Sequence, residues 1–231
     1  MNNNKIKITT YKTMRGLANR IRDDLNNKDF VLLYAYNGTG KTCLSMEVKK
    51  QNQKKNKNQT NTLYFNAYTE DLFSWNNDFI NEGKEPKLLL NSDSKFFSGL
   101  EDLPLEEKIS FYLNRYADFN FKIDYENWFI SFTNPTQPDK LIKISRGEEV
   151  IFIWYFFLAL CQLVSDRHVS YQWVKYIYID DPVSSLDDNN TISIACDLAK
   201  LLKENKDKFK VIISSHHGLF FNVMCNELKK Q

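Results

Sequence analysis

Four short stretches of this 231-residue chain carry side chains suited to holding and attacking phosphate. Residues 35–42 read Ala-Tyr-Asn-Gly-Thr-Gly-Lys-Thr. Gly38 and Gly40 let backbone N–H groups turn inward around anionic oxygens, with Asn37 and Thr39 between and beside them. Lys41 can then reach the outer phosphates of a nucleotide and Thr42 can hold Mg²⁺, as in the pattern G-x-x-x-x-G-K-[ST]. Ala35 stands where that pattern has its first glycine. An ordinary glycine turn between strand and helix is the bland alternative, and it gives no reason for Lys41-Thr42.

A second stretch, Tyr176–Asp187, runs from an apolar strand into adjacent carboxylates, Asp180 and Asp181. Open α/β sheets bind their ligands at the C-terminal ends of their strands. The first carboxylate is placed to support Mg²⁺ and the second to orient or deprotonate an attacking water. Aspartates can also merely close a strand and cap a turn before Pro182. Ser214-Ser215-His216-His217 follows a later apolar strand, where either imidazole could donate to a phosphate oxygen. Residues 144–149, Ile-Ser-Arg-Gly-Glu-Glu, precede a long apolar run and offer an anion the Ser145 hydroxyl and the Gly147 backbone at a helix N-terminus. Ser145 with Glu148 equally matches a capping box. His168, in the linker after that run, reads as a surface residue.

These groups need elements that aim them. Phe30–Ala35 reads as a buried strand into the glycine loop, followed by a helix from Lys41 to about Lys50. Leu17, Ile21 and Leu25 give an earlier helix over 15–25, and Thr62–Asn66 a second strand. Lys49–Asn61 is almost all Lys, Asn and Gln, a solvated loop or frayed helix end. Between 67 and 145 the periodicity is mixed: a helix over 104–116, strands at 119–123 and 128–132, no clear reading of 75–90. Beyond 145 it alternates again: helix 147–165, strand 176–179, helix 189–204, strand 210–214, helix 219–228. Strand–helix alternation at both ends predicts an α/β fold with a parallel or mixed sheet covered by helices.

Length and composition bound the rest. The chain suffices for one core, and its net charge of +2 argues against a dedicated electrostatic nucleic-acid binder, while leaving room for a local patch. Cys43, Cys161, Cys196 and Cys225 form no Cys-x-x-Cys pair, which favours a reducing cytoplasm over disulfides or zinc. No apolar signal core opens the chain, and Val150–Val164 is shorter than the ~20 residues of a membrane span, so a buried helix and no membrane partner are expected.

Set in order, these motifs resemble an ABC-type ATPase head of the P-loop class: Walker A at 35–42, signature at 144–149, Walker B and D-loop at 176–187, switch histidine at 216. Ile-Asp-Asp-Pro-Val-Ser-Ser-Leu-Asp and Ser-His-His-Gly-Leu-Phe-Phe are most similar to the heads of the anticodon-nuclease and SMC/RecN-like group. The resemblance implies one domain over 1–231, without coiled-coil arms and with a variable insert at about 67–140. It implies ATP and Mg²⁺ as cofactors and two copies closing head to tail around two nucleotides. Ser145 and Gly147 of one copy would meet the γ-phosphate held by the other, and Asp187 would couple the two sites. It selects His216 over His217, and gives Asp181 a place where many relatives have Glu. Only fourteen residues follow His217, so the activity controlled is expected in a separate effector such as a nuclease, most plausibly in defence against phage, with DNA or RNA a possible partner. A DNA-repair head of the SMC/RecN kind, or a nucleotide-dependent scaffold with little turnover, are the other readings. The family's Q-loop glutamine has no clear counterpart, with Asn66 or Glu70 in its place, and Tyr11 is the one candidate for stacking on adenine.

Overall fold

The computed structural model describes residues 8–57, 59–66, 72–76, 85–97, 99–100, 103 and 105–229. Four strands make an all-parallel sheet: β1 (Phe30–Tyr34), β2 (Thr62–Asn66), β8 (Tyr176–Asp180) and β9 (Lys210–Ser215), in the order β1-β9-β8-β2. The register places Tyr34 beside Ser215, Asp180 beside Ser214, and Asn66 beside Asp180. All four strands therefore end at one edge, and the strand before the histidines lies between the glycine-loop strand and the Asp-Asp strand.

Helices cover both faces. On one side lie α1 (Met14–Leu25) and α2 (Lys41–Lys55), where Ala18, Ile21, Leu25, Leu44 and Val48 pack with Tyr178 and Ile212. On the other side Ile177, Ile179, Val211 and Ile213 join the main core with α4 (Arg146–Ser165), α5 (Asp188–Glu204) and α6 (Gly218–Lys229). The period of two along a strand decides what faces the glycine-loop helix. On β8, Ile177 and Ile179 point to the main core, and Tyr178 and Asp180 point to α1 and α2. On β2 the same parity sends Leu63 and Phe65 one way and Tyr64 the other.

Helix α4 is buried on nearly every side because it fills the space between two sheets. Phe65 of β2 meets Trp154 and Phe157, with ring centroids 5.2 and 4.6 Å apart. On the far side Phe73 of β3 (Phe73–Trp75) meets Phe156 at 5.4 Å, and Phe132 of β6 (Phe129–Asn134) meets Phe152 at 5.0 Å. Each fully buried aromatic of this kind is worth about 1.5–3 kcal/mol in area alone. The helix has the length and hydropathy of a membrane span, yet its most apolar window is 83% buried in this fold.

The second sheet is antiparallel, β3-β4-β6-β5, with β4 at Leu88–Leu90, β5 at Asn120–Asp124 and β7 (Gln137–Leu141) pairing with β6. Helix α3 (Leu105–Leu113) packs on α4 through Leu105, Ile109 and Leu113. Trp75 Nε1 donates to Glu149 Oε2 at 3.0 Å, and Arg146 reaches Glu149 Oε1 at 2.9 Å, which fixes the first turn of α4 to this sheet. The expected elements thus form, and a separate antiparallel sheet joins the parallel one. β7 carries no apolar alternation and includes Pro138, as befits an edge strand. β3 and β4 have three residues each, too few to show a period. Helix α2 runs a turn beyond Lys50, absorbing the start of the polar stretch.

Candidate nucleotide site

The glycine loop bridges β1 and α2. Gly38 and Gly40 have φ of +78° and +94°, and Gly40 is the residue from which α2 starts. The backbone conformation requires glycine at Gly40; a Cβ there would lie 2.6 Å from Met14 Cε, the end of a flexible side chain that can move aside. Thr39 folds back, its hydroxyl donating to the Tyr36 carbonyl at 2.7 Å. Lys41 Nζ is held by Asn37 Oδ1 at 3.1 Å, by the Ala35 and Tyr36 carbonyls at 3.3 and 3.4 Å, and by Asp181 Oδ2 at 3.1 Å. The side chains of Lys41 and Asp181 are 9% and 14% exposed, so salt screens this pair weakly.

Asp180 ends β8 and is 2% exposed. Its Oδ1 accepts from Ser214 Oγ at 2.6 Å; its Oδ2 accepts from Tyr64 Oη at 3.3 Å and from Thr42 Oγ1 at 3.4 Å. Burial raises its pKa, opposed by the Ser214 hydroxyl and reinforced by the charge of Asp181. Among the described residues it has no ion pair. A buried carboxylate supplied only with hydroxyl donors, one of them Thr42, fits a hard cation that prefers oxygen ligands. Thr42 and Asp180 would hold Mg²⁺ here.

Asp181 leaves the strand with φ +49°, a left-handed backbone that Asp and Asn tolerate better than Glu does. Its N–H donates to the Ser214 carbonyl at 2.8 Å. Its Oδ1 accepts from the His216 backbone N–H at 2.9 Å and faces His216 Nδ1 at 2.8 Å. Burial pushes this carboxyl upward, but the His216 N–H, the His216 ring and Lys41 outweigh it, and the net pKa is lowered. The group is a carboxylate at neutral pH. His217 points elsewhere: its Nδ1 accepts from Phe220 N–H at 3.4 Å and so caps the start of α6.

Asn37, Gly38, Gly40, Lys41, Thr42, Asp180, Asp181 and His216 thus converge on one edge, with Thr39 bracing the loop. Four other expected residues, Ser145, Gly147, Asp187 and Tyr11, do not join them. Ser145 is the N-cap of α4 and forms a full capping box: its Oγ accepts from Glu148 N–H at 3.3 Å, and its own N–H donates to Glu148 Oε2 at 2.7 Å. Ser145, Arg146 and Gly147 are exposed, and nothing stands within 4 Å of a Cβ built on Gly147. Asp187 is the exposed N-cap of α5, accepting from Asn190 N–H at 2.9 Å. Tyr11 is exposed beside α1, and the side chain that lies over Gly40 is that of Met14. Asn66 ends β2 next to Asp180, while Glu70 lies outside the described residues.

Sequence reading missed the residues behind Asp180. Tyr64 has the strand parity of Asp180, and Ser45 lies one helical turn after Thr42, so the signal was there. A groove of about 470 Å³ on the outer edge of β2, lined by Met46, Lys49 and Trp173 among others, shares Tyr64 and Asn66 with this edge but none of its carboxylates.

A family profile described as an AAA domain matches residues 101–231, more than half of the chain. Anticodon nuclease from Escherichia coli is 37% identical over 228 residues, covering 85% of this chain and 57% of that protein, so the chain spans a little over half that relative's length. Among solved structures, the Smc head domain with an extended coiled coil from Pyrococcus furiosus, bound to the C-terminal domain of ScpA, is 14% identical with a TM-score of 0.37, covering 93% of this chain and 45% of that one. The SMC head domain from Thermotoga maritima is 18% identical with a TM-score of 0.28, covering 62% and 59%. With that profile matching more than half of its length, the chain belongs to the AAA domain family.

Proposed function

We propose that this chain is one ATPase unit that binds and hydrolyses ATP with Mg²⁺, pairs with a second copy around two nucleotides, and regulates a separate effector such as a nuclease. The observation that carries this is spatial. Lys41, Thr42, Asp180, Asp181 and His216 share one edge, whereas Ser145, Gly147 and Asp187 sit on exposed helix N-termini, free to meet another copy. A helix N-terminus presenting a hydroxyl and open backbone favours an anion. The relative named as an anticodon nuclease suggests a nucleic-acid-cleaving output, which we place in the cytoplasm and in defence against phage.

In this reading Asn37, Gly38, Thr39, Gly40 and Lys41 cradle the phosphates. Thr42 and Asp180 would hold Mg²⁺, whose chemistry there would be neutralisation of phosphate charge. Asp181 accepts the proton of the attacking water, and His216 orients that water and the γ-phosphate. Lys41 is one of the groups that keep the Asp181 pKa low. When Lys41 turns from Asp181 to phosphate, Asp181 becomes a stronger proton acceptor as the substrate arrives.

Steady-state phosphate release tests the enzyme claim: wild type should turn over ATP and Lys41→Ala should not. Sedimentation of Asp181→Asn tests pairing: a protein that stays monomeric with ATP and Mg²⁺ sinks the two-copy arrangement. The short Asp181, held from two sides, favours a second reading, a nucleotide-switched scaffold; dimerisation without measurable phosphate release would select it.

A further inference from the structure

The carboxylate that would carry the metal is supported from behind by a residue outside every motif. Asp180 Oδ1 accepts from Ser214, and Oδ2 is the oxygen that faces Thr42, the residue placed to share a cation with it. Tyr64 Oη reaches this same oxygen at 3.3 Å from β2. Ser45 Oγ shares its one proton between Tyr64 Oη at 3.2 Å and, at 2.8 Å, the carbonyl of Thr42, the other residue placed to hold the metal. Ser45 is fully buried, and the Tyr64 ring packs at 5.9 Å on Tyr178. The hydroxyl is therefore held in place from its own side as well as from that of Asp180.

We propose that Tyr64 is a positioning residue for the metal site: its hydroxyl fixes the rotamer of Asp180 and, through Ser45, ties that carboxylate to Thr42. The inference rests on the Mg²⁺-nucleotide reading of the site. Partners that orient a metal-binding carboxylate are typically worth about 10–100-fold in metal affinity.

The test is Tyr64→Phe, which removes one oxygen and leaves the ring in its cluster. A fluorescent ATP analogue is bound to wild type and variant, first with EDTA and then over a Mg²⁺ titration. Tyr64→Phe should bind the metal-free analogue as wild type does and need about tenfold more Mg²⁺ for half of the metal-dependent gain, with Ser45→Ala shifted the same way by less. A merely structural role would lower thermal stability without moving the Mg²⁺ midpoint. An unchanged midpoint in Tyr64→Phe, alongside a shifted one in Asp180→Asn, overturns the inference and leaves the nucleotide site standing. A wild-type chain that binds no nucleotide overturns both.

Discussion

Asp181→Asn separates the two jobs given to Asp181, restraining Lys41 and accepting a proton. The amide keeps an acceptor for the His216 N–H at 2.9 Å, and asparagine tolerates φ +49° as aspartate does, so the fold should survive with a small change in melting temperature. What goes is the charge 3.1 Å from Lys41 Nζ. A hydrogen bond to a charged group is worth about 1.5–3 kcal/mol net. In wild type, nucleotide must displace Lys41 from that carboxylate; in the variant it need not. At the lower end of the range, Asp181→Asn should bind ATP about tenfold more tightly without Mg²⁺. Turnover should fall by about 10²–10⁴, the usual worth of a positioned base. Equilibrium binding of a fluorescent ATP analogue in EDTA and steady-state phosphate release measure the two effects on one preparation. Binding no tighter than wild type would show that Lys41 is not restrained by Asp181. Turnover within about threefold of wild type would show that Asp181 is not the base.

Other substitutions probe the frame around the site. Gly40→Ala sets a Cβ 2.6 Å from Met14 Cε at φ +94°, so it should cost about 1–2 kcal/mol of stability and abolish nucleotide binding; denaturant midpoints and the binding assay read both. Gly147→Glu places its side chain in open space, so the melting temperature should hold while ATP-dependent dimerisation, read by sedimentation, is lost. Asp197→Ala leaves the buried Tyr155 hydroxyl without its 3.2 Å acceptor and Arg115 without its carboxylate, and should cost about 1–3 kcal/mol in urea unfolding. The two carboxylates of the site should oppose each other with pH. Asp181, with its pKa lowered, adds stability that is present above about pH 4 and is lost as pH falls through its folded value. Asp180, with its pKa raised, adds stability that is present below about pH 4 and is lost as pH rises through its folded value. Asp180→Asn should therefore raise the melting temperature at pH 7, and Asp181→Asn should blunt the loss of stability below pH 4.

The residues proposed to handle phosphate were legible because each motif binds its chemistry to a local conformation. Glycines before Lys41 demand a left-handed turn, and carboxylates after an apolar strand demand a sheet edge. What the sequence left open depends on distances along the chain that periodicity does not span. Tyr64 and Asp180 are 116 residues apart and meet only because β2 and β8 pair in register. His216 and His217 are indistinguishable by composition; the turn after β9 gives one to Asp181 and the other to the N-terminus of α6. Ser145 was open between anion binding and a capping box, and the box is formed, which orders its hydroxyl without hiding it. The antiparallel sheet was the least legible part, because β3 and β4 are too short for a pattern and β7 shows no apolar alternation.

One consequence of the packing concerns how two exposed helix ends can act together. Ser145 opens α4 and Asp187 opens α5, and no hydrogen bond joins the two caps. Further down, Tyr155 Oη of α4 donates to Asp197 Oδ2 of α5 at 3.2 Å, and Arg115 grips the same carboxylate at 3.0 and 3.1 Å. Tyr112 and Tyr116 stack on Tyr155 with planes 4° and 11° from parallel, which leaves its ring little room to turn. Both contact residues lie nine positions after the first helical residue, about 14 Å down each helix at 1.5 Å per residue. The link joins the two helices at the same depth. In the proposed pairing, a second copy pressing on the Ser145 end would move the Asp187 end through that link. Loosening the pin in Asp197→Ala should weaken ATP-dependent pairing more than it weakens nucleotide binding by the single chain. Equal losses in the two assays would mean that the helix ends act independently.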